Sequence, residues 1–195
     1  VINKLENGNK RKLSKRKDPE AAVSYFLDLG YPPEALLTYL LSIANSNFEE
    51  WWVLNKPSPL DAFDFSFSKM SLDGALFDLE KVNFFAREFY ATLSADAIAK
   101  RTVEFLAKSK ENDSKLKEIN ADFAKFVAIM NIEREKENPR KDYMYLGQVW
   151  PSIAFFFEQE YLAIFNTKTH DAFNETLAPQ VIIDVLRDLK SLMAY

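Results

Sequence analysis

The chain has 195 residues, of which 48% are hydrophobic, 14% aromatic and 28% charged, enough for a core of ordinary depth and too apolar for a disordered segment. Only Gly8, Gly30, Gly74 and Gly147 are glycines, too few for a sandwich or barrel that turns every dozen residues, so an all-α chain is expected. The absence of cysteine excludes disulfides, thiolate catalysis and cysteine-bound zinc or iron–sulfur clusters, and no apolar run reaches the roughly eighteen residues of a membrane span. His170, the one histidine, excludes a His-rich metal site and reads as a surface-loop residue; no metal site is expected. The start at Val1, without Met or a signal-peptide pattern, reads as a fragment or processed product, and the composition suits the cytoplasm.

The net charge of −4 hides a split. Residues 1–19 carry Lys4, Lys10, Arg11, Lys12, Lys15, Arg16 and Lys17 against Glu6 and Asp18, a net +5, which leaves −9 on the rest of the chain. The run from Gly8 to Asp18 has one apolar side chain, Leu13, and is expected to be an exposed basic loop. By composition alone it could be a solvated charge run, a localisation-like patch or a nonspecific phosphate binder.

Asp18-Pro19-Glu20 predicts a helix start, with Asp18 as N-cap, running to Leu29 and closed by Gly30. A second helix is expected from Pro32 to Ala44, apolar nearly all round and therefore buried. Residues 56–59, Lys-Pro-Ser-Pro, must be extended or turned, and Phe63, Phe65 and Phe67 are expected to form an aromatic plug over the helices rather than a strand. Asp78 and Ser94 are expected to cap helices whose stripes run through Val82, Phe85, Phe89 and Leu93 and through Ile98, Thr102, Val103 and Leu106. One longer helix is predicted over about 115–136, then a core-forming aromatic segment of six large rings from Tyr143 to Phe157, then a final helix from Pro179. Arg134, Arg140 and Lys141 read as exposed, solvated cations.

Within the basic run, Lys12-Leu13-Ser14-Lys15-Arg16 resembles the KMSKS signature of class I aminoacyl-tRNA synthetases, in the KLSKR form of the glutamyl enzymes. The stretch KRKLSKRKDPEAAVSYFLDLGYPPEALLTYLLSIANSNFEEWW, residues 10–52, is similar to the bacterial, clostridial-type segment that leads from this loop into the stem-contact region. Residues 67–83, FSKMSLDGALFDLEKVN, are similar to the "DLxKLN" element that closes that region.

The resemblance implies the C-terminal part of a glutamyl-tRNA synthetase. The loop would occupy 1–17, the stem-contact helices 18–93, and a helical anticodon-binding cage, cut short at its distal end, 94–195. It implies that Lys15, with Lys12 beside it, contacts the ATP phosphates, and that Ser14 belongs to the same ATP-binding loop. Lys10, Arg11, Arg16 and Lys17 would then face tRNA(Glu). ATP with Mg2+ and glutamate would act through a catalytic domain, and no cofactor is expected on the fragment alone. The H-x-G-H motif of that domain is absent from this sequence, which has one histidine, so the polypeptide by itself is expected not to activate glutamate. A monomer without membrane contact is expected. Two other readings remain open: another class I synthetase with a helical cage, such as the class I lysyl enzyme, and a noncatalytic helical interaction module.

Overall fold

The computed structural model describes residues 2–56, 59–70 and 74–165, together with Asp184 and Arg187. His170 and the helix expected from Pro179 lie outside the described residues as elements. The chain divides into two compact units, residues 1–153 and 154–195.

The basic run is not a loop from Gly8 onward. Asn7 and Gly8 have φ of +52° and +81°, the left-handed backbone of a two-residue hairpin turn that Asn-Gly adopts with little strain. They join β1 (Ile2–Glu6) to β2 (Asn9–Lys12), with Glu6 opposite Asn9 and Asn3 opposite Lys12. β3 (Ala75–Leu76) lies parallel to β1 on its other side, giving the order β2-β1-β3. The structure is predominantly helical, as expected, with this small sheet added to it.

Asp18 does not cap the first helix. Pro19–Ala21 forms a short 3-10 turn, and α1 follows over Val23–Leu29. Gly30 ends α1 at φ +89°, as the sequence predicts. A Cβ on Gly30 would lie 2.9 Å from both Leu146 Cβ and Phe105 Cε2, so the glycine meets a conformational and a steric requirement together.

α2 (Pro33–Ala44) buries only one face, through Ala35, Thr38, Tyr39 and Ser42, while Leu37 and Leu40 remain 50% and 43% exposed. The expectation of a helix buried all round is thereby corrected. Its buried face meets one principal neighbour, α4 (Leu79–Thr92), so the leucines on the other side find no such cover. Phe26, Tyr31, Ala35, Tyr39, Val82, Phe85 and Ala86 form the core between α1, α2 and α4. Its polar atoms are satisfied locally: Tyr31 donates to Asn83 Oδ1 at 2.6 Å, Tyr90 donates to the Gly30 carbonyl at 2.6 Å, and the Asp78 amide donates to Tyr39 Oη at 2.9 Å.

α3 spans Phe48–Leu54. Of the three phenylalanines that follow it, only Phe63 acts as a plug, with its ring 5.0 Å from Phe48 and 5.1 Å from Trp51. Phe67 is 83% exposed.

Asp78 and Ser94 cap α4 and α5 (Ala95–Leu106), accepting from the Lys81 and Ala97 amides at 3.2 Å. The single helix expected over 115–136 is two helices, α6 (Asp113–Ala121) and α7 (Phe123–Asn131). The break falls at Asp122, whose carboxylate accepts from the Lys125 amide at 2.9 Å and so starts a new helix where an apolar stripe alone suggests continuation. Arg134 is not a solvated cation. It is 9% exposed and donates to the carbonyls of Met130, Tyr90 and Leu93 at 3.0, 2.8 and 3.1 Å. Arg140 pairs with Asp142 and Lys141 with Glu88.

α8 spans Val149–Ile153. In the second unit a 3-10 turn at Ala154–Phe156 leads into α9 (Glu158–Phe165). The aromatic segment is core only in part. Tyr143, Trp150 and Phe157 are buried and Tyr145 is half-buried, but Phe155 and Phe156 are 53% and 37% exposed and pack on each other at 4.4 Å.

Candidate phosphate-binding loop

The β1–β2 ladder continues into the loop through the Leu13 amide, which donates to the Ile2 carbonyl at 3.0 Å. The chain then closes a small turn from Ser14 to Asp18. The Ser14 carbonyl accepts from the Lys17 and Asp18 amides at 3.0 and 2.8 Å, and the Ser14 amide donates to Asp18 Oδ2 at 2.9 Å. Asp18 therefore closes the turn with both its backbone and its side chain.

The Asp18 carboxylate is 2% exposed and takes a two-pronged contact from Arg11, Nη1 to Oδ2 at 2.7 Å and Nη2 to Oδ1 at 2.8 Å. The same guanidinium reaches Glu6 through Nε at 2.8 Å and Nη2 at 3.1 Å. Lys4 lies opposite Arg11 across the hairpin, 3.5 Å from Asp18 Oδ1, and pairs with Glu20. The Arg11 contact, then the Ser14 amide, hold the Asp18 carboxyl well below the usual carboxylate range. Asp18 and then Glu6 raise Arg11 further above its already high value, and Arg11 lowers Glu6 in return.

Strand alternation sorts the remaining cations. Lys4, Glu6 and Arg11 share one face of the hairpin, the one onto which Asp18 and Glu20 fold. Lys10 and Lys12 belong to the other face and are exposed. Lys15, Arg16 and Lys17 are exposed on the turn, and Ser14 is half-buried at its base. None of Lys10, Lys12, Lys15, Arg16 and Lys17 pairs with a carboxylate among the described residues. Lys12, Ser14, Lys15, Arg16 and Lys17 thus lie at the open end of one hairpin, Lys10 lies nearer its turn, and Arg11 is set apart by its carboxylate partners. Sequence reasoning missed the parts played by Lys4, Glu6, Asp18 and Glu20; the Asn7-Gly8 pair was the signal that could have revealed them, because a hairpin there fixes which cations share a face.

Such a loop can meet a polyanion. Five exposed cations without a carboxylate partner among the described residues lie along one strand and one turn. A cavity of about 500 Å³ between α2, α3 and α4 has the opposite chemistry, with Trp52, Phe85 and Phe89 walls and the carboxylates of Glu34, Asp61 and Glu88 against Lys56. Its charge disfavours phosphate. Among the described residues no three acidic or histidine side chains converge to hold a metal ion.

No protein-family model matches the chain. The glutamate–tRNA ligase of Acetivibrio thermocellus is 40% identical over 179 residues, 92% of this chain and 32% of that protein. That of Clostridium perfringens is 36% identical over 160 residues, 82% of this chain, and that of Sorangium cellulosum is 31% identical over 152 residues, 78% of this chain. Over this segment the chain belongs to the glutamate–tRNA ligase family. The resemblance to the clostridial type agrees with the higher identities, which fall on Acetivibrio and Clostridium. The chain spans about a third of the length of the ligases it matches. Among the described residues no helix is long and apolar enough to cross a membrane.

Proposed function

We propose that this chain is the signature-loop and tRNA-binding C-terminal part of a glutamate–tRNA ligase. The observation that carries the reading is the KLSKR turn on a hairpin, with Lys12 and Lys15 unpaired and exposed, in a segment homologous to these ligases. The roles divide along the chain as loop (1–17), stem-contact helices (18–93) and anticodon-binding helices (94–195).

In the complete enzyme, the glutamate carboxylate attacks the α-phosphorus of ATP and pyrophosphate leaves; the glutamyl group then passes from the adenylate to the 3′ end of tRNA(Glu). Negative charge grows on the departing phosphates in the first step, and a preplaced cation is worth most there. Lys15 contacts those phosphates, Lys12 supports it from the end of β2, and Ser14 hydrogen-bonds at the base of the turn. Mg2+ bound to the triphosphate would neutralise part of its charge; no acidic cluster among the described residues is placed to hold the ion. Lys10, Arg16 and Lys17 face the tRNA backbone. Arg11, which the resemblance groups with them, keeps its guanidinium on Asp18 and Glu6 and serves the loop. The protein works as a cytoplasmic monomer.

In the complete ligase, Lys15→Ala is expected to lower ATP–pyrophosphate exchange by about a hundredfold or more with tRNA binding nearly unchanged. The 195-residue chain alone is expected to show no exchange above background. Full exchange activity in the Lys15→Ala enzyme would remove Lys15 from the reaction.

A further inference from the structure

We propose that Arg11 and Asp18 are positioning residues. Their two-pronged pair is a latch that holds the Ser14–Lys17 turn in the form that presents Lys15, Arg16 and Lys17 outward as an anion clamp. This rests on the reading of the loop given above as a phosphate-binding element.

Packing does not hold that form. Lys15, Arg16 and Lys17 are exposed, and three adjacent cations repel one another. Apart from the Asp18 carboxylate, the turn is closed only by the two bonds to the Ser14 carbonyl. Asp18 ties the Ser14 amide to the Arg11 fork, and Arg11 is itself fixed by its place in β2 and by Glu6, so the Asp18 side chain anchors the turn to the sheet, with Lys4 of β1 adding a longer contact at 3.5 Å. Lysine could not replace Arg11 in this, because a single ammonium cannot span both Asp18 oxygens in the plane that the fork does.

A nearly buried carboxylate beside an anion-binding loop weakens the local positive potential. Its presence is explained by the shape it enforces and not by the field it makes, and this gives the test its sign. Asp18→Asn removes one negative charge, so on electrostatic grounds alone an anion should bind more tightly. As a latch, Asp18→Asn loosens the turn, and an anion must then pay the cost of ordering it.

The experiment titrates the 195-residue chain with tripolyphosphate by calorimetry and records the {1H}–15N heteronuclear NOE of the Lys15, Arg16 and Lys17 amides. Asp18→Asn and Arg11→Lys are each expected to weaken tripolyphosphate roughly tenfold and to lower those NOE values. Arg11→Lys leaves the charge unchanged, so weakening there cannot come from net charge. Equal or tighter binding by Asp18→Asn, with NOE values like those of the parent, overturns the latch. If the unaltered chain does not bind tripolyphosphate, the phosphate-binding reading of the loop fails, and the latch is still decided by whether the turn loosens in the two variants.

Discussion

Between α2 and α4, the rings of Tyr31, Tyr39 and Phe85 are almost wholly removed from water, and each buried hydroxyl has one fixed partner. Between β2 and α1, the turn that carries Lys15 buries no side chain fully except Asp18, and its shape rests on charged hydrogen bonds near the surface. The first region resists perturbation through packing, which salt and acid hardly touch. The second depends on which groups are ionised. A turn that displays three adjacent cations gains little support from apolar cover and rests on hydrogen bonds instead.

The largest expected effect that separates the two regions comes from Phe85→Ala. Loss of this buried ring, which packs at 5.0 Å on Trp52, should lower unfolding free energy by about 3–5 kcal/mol in a urea titration. Tripolyphosphate affinity of the folded fraction should be unaltered. A parallel loss of affinity would mean that the two regions are coupled.

Gly30→Ala should come next, at about 2–4 kcal/mol, from a left-handed φ combined with a Cβ forced against Leu146 and Phe105. The same titration checks it, and a variant as stable as the parent would show that the α1 end and Leu146 can separate freely.

The smallest effect sharpens the contrast by pH. The Asp18 pKa is depressed in the folded chain, so its contribution is complete above the ordinary carboxylate range, near pH 4, and is lost as pH falls below it. Arg11, Lys4 and the Ser14 amide face it, with Glu6 and Glu20 as the neighbouring acids. The NOE of the Lys15–Lys17 amides should therefore stay level from neutral pH to about pH 4 and fall only below it. Burial, followed by the neighbouring Tyr145, pushes the Tyr31 hydroxyl up to about 12, so its contribution is complete below about pH 10 and is lost as pH rises toward 12. The loop should fail from the acid side and the helical core from the alkaline side; loosening of the turn near pH 6 would contradict this order.

Much of the helical body was legible before any coordinates. Asp78 and Ser94 are caps and Gly30 is a left-handed stop because each acts on backbone within three residues of itself, and such interactions can be read along the chain. The misreadings share one cause. Asp18 stands where an N-cap belongs, but its carboxylate turns back to Arg11, because a guanidinium seven residues earlier in the chain offers two charge-assisted bonds where the helix offers an amide. Arg134 looks solvated within a polar run, yet the C-terminal end of α4 places the carbonyls of Tyr90 and Leu93 within its reach. The hairpin is hidden in the sequence because the polar run from Gly8 to Asp18 has no apolar alternation, and the turn lies at its edge, at Asn7 and Gly8.

The sequence by itself determined the family, the helical class and which residues carry the positive charge, since these depend on residue identity, local capping and stripe spacing. Only the tertiary structure decided which of those charges are free. Lys10, Arg11 and Lys12 are nearly equivalent as letters, and all three are formally cationic. Strand alternation and the position of Asp18 turn Arg11 into part of the scaffold and leave Lys12 and Lys15 exposed, without a carboxylate partner among the described residues. Electrostatic energy depends on distance and direction in space, and those are fixed only once the hairpin has formed.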